Sequence, residues 1–276
     1  MPNHVSNLIV FEGDNSQITR LLDKIVSKSG EDGREAIDFN LLLPMPKDLE
    51  IESSSHTSLG IRMILTEISP FTSITAPNAV KVNNQMYENL LALLNRNQFF
   101  PVKPFSEEEL AKEKERFEKS GQDITRPREL GLKAIGNVIK YGATTWYDWC
   151  CENWGTKWNA YDNIINREDN TVCFHTAWSM PCGFLHALVS LLRNEEEVFS
   201  NLSFTWTYAD EDCGNNTGEF VYDCDTQELT GGEFEFCSSD AYKAFVTTWG
   251  ETDCIGQDEN GNYIHYDCDT CPNKCR

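Results

Sequence analysis

The sequence predicts an α+β fold in which an antiparallel sheet packs against helices. An apolar run at 6–11 is typical of a strand, and apolar residues recur at helical spacing from Ile18 to Val26. Further along, the chain alternates between apolar and polar residues in three segments typical of a meander: 202–208, 219–224 and 233–237. With 40% hydrophobic and 11% aromatic residues, the composition is that of a globular protein.

The first 46 residues predict a β-α-β arrangement, which forms the first part of the core. A second strand is expected at 36–43, because this apolar stretch stops at Pro44-Met45-Pro46. The next segment, 47–141, changes character and predicts a mostly helical insertion. Its helical patterns lie at 59–66, 85–95 and 106–119.

The segment 142–237 predicts the second part of the core, beginning with a tryptophan-rich stretch. It continues with a strand at 171–178, a helix around 184–192 and the meander, where Gly231-Gly232 supplies a permissive turn. The last segment, 238–276, predicts a helix at 240–249 and an acidic, cysteine-rich tail. Within that tail, Asn260-Gly261 is a strong hairpin signal.

Negative charge is concentrated in the last 82 residues. From Glu195 to Arg276 there are 19 acidic and three basic residues, a net charge of −16 out of −21 for the whole chain. Such a field repels nucleic acid and anionic membranes and attracts basic protein surfaces. We expect a partner-binding acidic face, with solubility alone as the alternative. Its candidate residues are Asp210, Glu211, Asp212, Asp223, Asp225, Glu228, Glu233 and Glu235.

Four tryptophans lie within 13 residues, at Trp146, Trp149, Trp154 and Trp158. Large rings beside a cation and an amide can stack on and hydrogen-bond a flat ligand. The candidate ligand platform is Asn153, Trp154, Lys157 and Trp158. The favoured interpretation is nevertheless a corner of the core, because Trp146 and Trp149 are spaced for one helix face.

All 11 cysteines lie at or after Cys150, and an odd number cannot all pair within one chain. Reduced thiols are therefore the default expectation. Cys254, Cys268, Cys271 and Cys275 also have a spacing that allows a structural zinc site, since four thiolates can close a tetrahedral shell. Free thiols are the favoured interpretation and structural zinc is the alternative; no other cofactor is indicated.

Several short sequence pieces resemble the YubB-like family of phage- and plasmid-encoded proteins. The most specific is the run from Asn153 to Ala160. The others are Met1-Pro2-Asn3, Ser6-Asn7, Gly13-Asp14, Leu43-Pro44-Met45-Pro46, Tyr141-Gly142-Ala143, Trp146-Tyr147-Asp148-Trp149 and Thr176-Ala177-Trp178-Ser179. They span residues 1–225. The resemblance implies a ferredoxin-like split β-α-β core with an inserted helical segment, and a mobile-element origin. It implies no reaction.

These observations predict a non-catalytic protein that binds a host protein or complex through its acidic C-terminal face, for example to inhibit an anti-phage defence system. The expected partner has a basic surface of the kind that holds nucleic acid, whereas direct nucleic-acid binding is not expected. Without a signal-peptide pattern or a long apolar run, we expect a cytoplasmic protein that does not enter membranes. The alternative is a metal-dependent or nucleotide-binding enzyme that uses the carboxylates at 210–228 and the tryptophan-rich run.

Overall fold

The computed structural model describes residues 3–29, 33–71, 80–96 and 101–266. Its strands are β1 (His4–Gly13), β2 (Val26–Ser29), β3 (Arg34–Ile37), β4 (Tyr161–Asn166), β5 (Thr171–Ala177), β6 (Leu202–Asp210), β7 (Thr217–Asp223), β8 (Glu228–Glu233), β9 (Ile255–Gln257) and β10 (Tyr263–His265). Its α-helices are α1 (Asn15–Ile25), α2 (Ser55–Ile68), α3 (Asn84–Asn95), α4 (Glu107–Ser120), α5 (Thr125–Tyr141), α6 (Trp146–Asn153), α7 (Cys182–Asn194), α8 (Glu196–Phe199) and α9 (Ser239–Trp249).

The chain divides into two compact units. The first comprises Met1–Pro44 and Cys150–Arg276, and the second comprises Met45–Trp149. The helical segment expected at 47–141 lies inside the second unit. Among the described residues, none of the helices has the length and apolarity needed to cross a bilayer.

The first unit is built on a six-stranded sheet with the order β4-β5-β1-β6-β7-β8. Every neighbouring pair is antiparallel. Reading β1, α1, β4, β5, α7 and β6 along the chain gives the β-α-β-β-α-β order of a ferredoxin-like core, and β7 and β8 extend it at one edge. The predicted α+β class, antiparallel sheet and ferredoxin-like core are therefore confirmed.

The strand predicted at 36–43 is wrong. β3 ends at Ile37, and it pairs with β2 in a separate two-stranded ladder. Asp38 stops the extended backbone, because its carboxylate accepts a hydrogen bond from the Asn40 amide and starts a 3-10 turn. The turn places the Phe39 ring in the core, 4.7 Å from the ring of Phe184. After α1, the next strand of the six-stranded sheet is β4, which follows the second unit in the sequence.

The turn predicted at Gly231-Gly232 is also wrong, since both glycines lie inside β8. The chain turns between Asp223 and Glu228 instead, where the Asp223 carboxylate accepts hydrogen bonds from the amides of Asp225 and Thr226. Gly231 is required for another reason. Its φ is +100°, and a Cβ there would overlap the carbonyl oxygen of Glu219 on β7.

The second unit is helical and has its own core. Buried side chains of α2, α3 and α5 pack together in a cluster that includes Ile64, Leu65, Leu90, Ala134 and Val138. The α2 and α5 backbones touch, because Gly60 and Gly131 face each other at the crossing. At the N-terminus of α4, Ser106 and Glu109 form a capping box.

Candidate functional site on the open face of the sheet

The two faces of the sheet differ in how far they are covered. On β1 the odd-numbered Val5, Ile9 and Phe11 are buried in the core, whereas Leu8 and Val10 on the other face are half-buried. We call this second face the open face. Because side chains alternate along a strand, the register places Thr205 of β6 and Val221 of β7 on the open face with Val10.

Helix α9 covers one end of the open face. Ser6 donates a side-chain hydrogen bond to the Thr248 carbonyl at 3.1 Å, and Trp249 Nε1 donates to the Ala209 carbonyl at 2.9 Å. Ala241 and Ala244 are buried, which brings the helix close to the sheet. The opposite end, where β1 finishes and β7 turns into β8, carries exposed carboxylates.

We call this group of carboxylates the acidic strip: Glu12, Asp223, Asp225 and Glu228. All four are exposed. Asp223 lies directly opposite Glu228, and Glu12 is two strands away in the same row. Within the part of the chain that the structure describes, none of the four forms an ion pair. Like charges directly opposite each other destabilise an antiparallel pair, so a cation above Asp223 and Glu228 would relieve an existing repulsion.

The remaining predicted acidic residues lie elsewhere. Asp210 is only 3% exposed, and its carboxylate accepts hydrogen bonds from Asn3, Asn216 and the Asp212 amide. It belongs to the interior and not to a partner-binding face. The exposed Glu211, Asp212, Glu233 and Glu235 lie at the opposite strand ends, about 20 Å from the acidic strip along β7.

The distance between these two groups of carboxylates weighs against a single metal site at 210–228, which the enzyme alternative requires. Asp210 and Asp223 stand at opposite ends of the β6–β7 pair, so the carboxylates at 210–228 do not gather around one ion. Across the described ranges, no group of three or more His, Cys, Asp or Glu side chains is placed to hold a metal. Of the four predicted zinc ligands, Cys254 is a half-buried free thiol, while Cys268, Cys271 and Cys275 lie outside the described residues.

The predicted ligand platform is split between core and surface. Trp154 is 3% exposed, and its Nε1 donates to the Leu43 carbonyl at 2.9 Å, so this ring is a core residue. Lys157 and Trp158 are half-buried at the surface. The Lys157 ammonium lies 4.5 Å from the Trp158 ring and 4.7 Å from the ring of Trp178, which has a φ of +72°. Asn153 is half-buried in the last turn of α6.

Next to Trp158 lies an aromatic cluster that was not predicted from the sequence. Its members are His4, Tyr161, His175 and Trp249. His4 Nδ1 is 2.6 Å from the Tyr161 hydroxyl, and the rings of His175 and Trp249 stack with centroids 5.0 Å apart. Asp162 Oδ2 lies 3.4 Å from His175 Nδ1. The backbone of Asp162 has a strained φ of +50°, and it lies where the register of β4 shifts. These residues come from β1, β4, β5 and α9, so only the strand register could have indicated their proximity.

Tyr161 provides a pH prediction. Burial, and then the charges of Asp162 and Glu211, raise its pKa from 10.0 to about 12. The folded protein therefore holds the phenolic proton more tightly than the unfolded chain does. Stability from this group is complete below about pH 10 and is lost as the pH rises towards about 12. We expect the free energy of unfolding to fall across that interval, as measured by urea denaturation.

The Tyr161→Phe variant isolates this contribution. Its free energy of unfolding should depend less steeply on pH between about 10 and 12 than that of the unaltered chain. Both proteins should show the same pH dependence between about pH 7 and 9, which serves as the internal control. Equal slopes in the alkaline interval would contradict the prediction.

Comparison with known proteins finds a match to one family model over part of the chain. Residues 157–251 match a family model described as a ferredoxin-like domain in Api92-like protein. The matched segment runs from just before β4 to just after α9, and it includes Asp223, Asp225 and Glu228 of the acidic strip. No curated protein and no solved structure matches the chain.

Proposed function

We propose that this chain is a non-catalytic binding protein that captures a basic, amphipathic helix of a partner protein on the acidic strip. The single observation that carries this proposal is that Asp223 and Glu228 lie directly opposite each other, with Glu12 in the same row two strands from Asp223 and no ion pair among the described residues. These carboxylates form no ion pair among the described residues, although Asp223 also accepts two backbone amides of its turn, and they provide complementary charge for Lys or Arg.

The geometry of the row favours a helix as the occupant. Strands lie about 4.8 Å apart, so Glu12 and Asp223 are separated by about 10 Å across β6. Cations at positions i and i+7 of a helix are also about 10 Å apart. The neighbouring row, which contains Val10 and Val221, offers half-buried apolar surface to the rest of such a helix.

The biological setting is part of the proposal. The sequence resemblance to phage- and plasmid-encoded proteins supports a mobile-element origin, and the acidic field favours a host partner whose basic surface holds nucleic acid. Carboxylates in such a groove would take the place of phosphates. Inhibition of a host defence complex is the most concrete form of this function.

A labelled synthetic helix with Lys at i, i+3 and i+7 and Leu along the adjacent stripe tests the site by fluorescence anisotropy. Neutralising the row with Glu12→Gln, Asp223→Asn and Glu228→Gln should weaken binding about tenfold at low salt, at about 0.5 kcal/mol per exposed charge. Moderate salt should reduce the affinity of the unaltered chain in the same direction.

The matched control removes three charges at the other strand ends: Glu211→Gln, Asp212→Asn and Glu235→Gln. We expect less than about a twofold change in affinity. Equal losses of affinity in both variants would show that the peptide responds to the overall negative charge and not to the acidic strip. If the unaltered chain does not bind the peptide, the proposed site is refuted. A host protein retained by the control variant but lost by the strip variant in a pull-down would identify the natural partner.

A further inference from the structure

The second unit contains a polar cavity of about 210 Å³ that the acidic strip does not involve. Its wall is formed by the start of α2, the end of α3 and the turn that leads into α6. The start of α2 contributes hydroxyl side chains, including Ser54 and Thr57. The turn and the first residues of α6 contribute Thr144, Thr145, Tyr147 and Asp148.

The hydroxyls of this wall are held in fixed positions by the protein. Ser54 caps α2, since its oxygen accepts a hydrogen bond from the His56 amide at 3.1 Å. Thr57 donates to the Glu52 carbonyl, and Thr144 donates to the Asp148 carboxylate. A hydroxyl that donates once can still accept, and a carboxylate has room for several donors. The wall therefore keeps hydrogen-bonding capacity for a bound molecule.

Thr145 supplies a second, independent observation. It lines the cavity and is only 3% exposed, yet its hydroxyl has no hydrogen-bond partner anywhere in the described ranges. Buried polar groups are normally paired, and an unpaired one is unfavourable. A polar molecule in the cavity would relieve this defect after a small rotation of the side chain.

The chemistry of the wall selects the kind of ligand. Among the described residues, no Lys or Arg lines the cavity, and Asp148 contributes a carboxylate, so phosphates and carboxylates are disfavoured as ligands. An ammonium group would find one carboxylate in the described wall, while the other polar groups are mostly hydroxyls, so this wall suits a neutral ligand with several hydroxyls better than a cation. Ile61, Leu94 and Val102 provide an apolar side. A molecule with hydroxyls on its edge and C–H groups on its face satisfies both sides.

We infer that this cavity binds a small, neutral, polyhydroxylated molecule about the size of one sugar ring. Its hydroxyls donate to Asp148 and to the oxygens of Thr57 and Thr144, and one of them pairs with the Thr145 hydroxyl. Its C–H face lies on Ile61, Leu94 and Val102. The sugar can be free or can be the ribose of a nucleoside, because both present the same hydroxyls.

Isothermal titration of the full chain with D-glucose, D-ribose and adenosine tests the inference, with inorganic phosphate and putrescine as charged probes. Binding of a free sugar or of adenosine is the expected result, and the stronger of the two identifies the source. Asp148→Asn should weaken binding about tenfold, because a hydrogen bond to a charged acceptor is lost. Absence of sugar and nucleoside binding, or stronger binding of phosphate or putrescine, would overturn the inference.

Thr145→Val separates a ligand contact from a purely structural role. Valine keeps the shape and removes the unpaired oxygen, so the melting temperature should stay unchanged or rise while sugar affinity falls about tenfold. Thr217→Val in the first unit is the matched control, since Thr217 is also buried without a partner among the described residues. It should leave sugar affinity unchanged. Unchanged affinity in Thr145→Val would also overturn the inference.

Discussion

Replacing Trp206 with alanine is expected to lower the free energy of unfolding of the first unit by about 3–5 kcal/mol. Trp206 is 0% exposed at the centre of the sheet. Its ring meets Phe174 and Phe184 edge-on, with centroids 5.8 and 6.3 Å away, and its Nε1 donates to Asn7 Oδ1 at 3.1 Å. Truncation leaves a cavity between sheet and helix and removes this donor from a buried amide.

Two companion variants divide this effect into its parts. Trp206→Phe keeps most of the apolar ring but loses the hydrogen bond to Asn7, so we expect a loss of about 1–3 kcal/mol. Phe236→Ala, at a side chain that is 68% exposed, should change stability by less than about 0.5 kcal/mol. Chemical denaturation followed by circular dichroism measures all three. A loss below about 1 kcal/mol for Trp206→Ala would contradict the assigned core.

Replacing Gly60 with alanine is expected to destabilise the second unit by about 1–3 kcal/mol. A Cβ at Gly60 would overlap the carbonyl oxygen of Pro127 on α5, and one at Gly131 would overlap the backbone of Gly60. These are backbone atoms and cannot rotate away, so the two helices would have to separate. Gly131→Ala should have a similar effect.

Gly136 on the same α5 helix is the matched control. A Cβ there meets nothing within 4 Å, and the residue is exposed. Gly136→Ala should therefore stabilise the helix by about 0.5–1 kcal/mol through its better helix propensity. Hydrogen exchange at α2 and α5 amides reports on this unit separately from the sheet. If Gly60→Ala and Gly136→Ala behave alike, the close crossing is refuted.

Local sequence patterns predicted elements whose side chains alternate or recur regularly. The segments 171–178, 202–208 and 240–249 correspond closely to β5, β6 and α9. Other elements were not predicted, β4 and α5 among them, and the strand predicted at 233–237 is wrong, because β8 ends at Glu233. β4 is irregular, and its exposed Ile164 breaks the expected burial pattern. α5 contains Pro127, Gly131 and Gly136, which lower helix propensity, and it is stabilised by packing against α2.

The candidate sites show the same division. Charge counting alone located an acidic C-terminal half, but it grouped Asp210 with Asp223, although one is buried and the other exposed. Glu12 was overlooked, because it lies some 200 residues from its neighbours in the acidic strip. The cavity of the second unit was not predicted at all, since its wall joins residues near 55 with residues near 145.

The sequence by itself determined the α+β class, most elements of the ferredoxin-like core and the acidity of the C-terminal half. These follow from composition and from periodicity, which act over short stretches of chain. Only the tertiary structure decided which carboxylates share a surface and that Trp154 is a core residue while Trp158 reaches the surface. It also decided that Asp223 faces Glu228, with Glu12 in the same row two strands away. Strand order and register produce these outcomes, because they join residues that no local pattern relates.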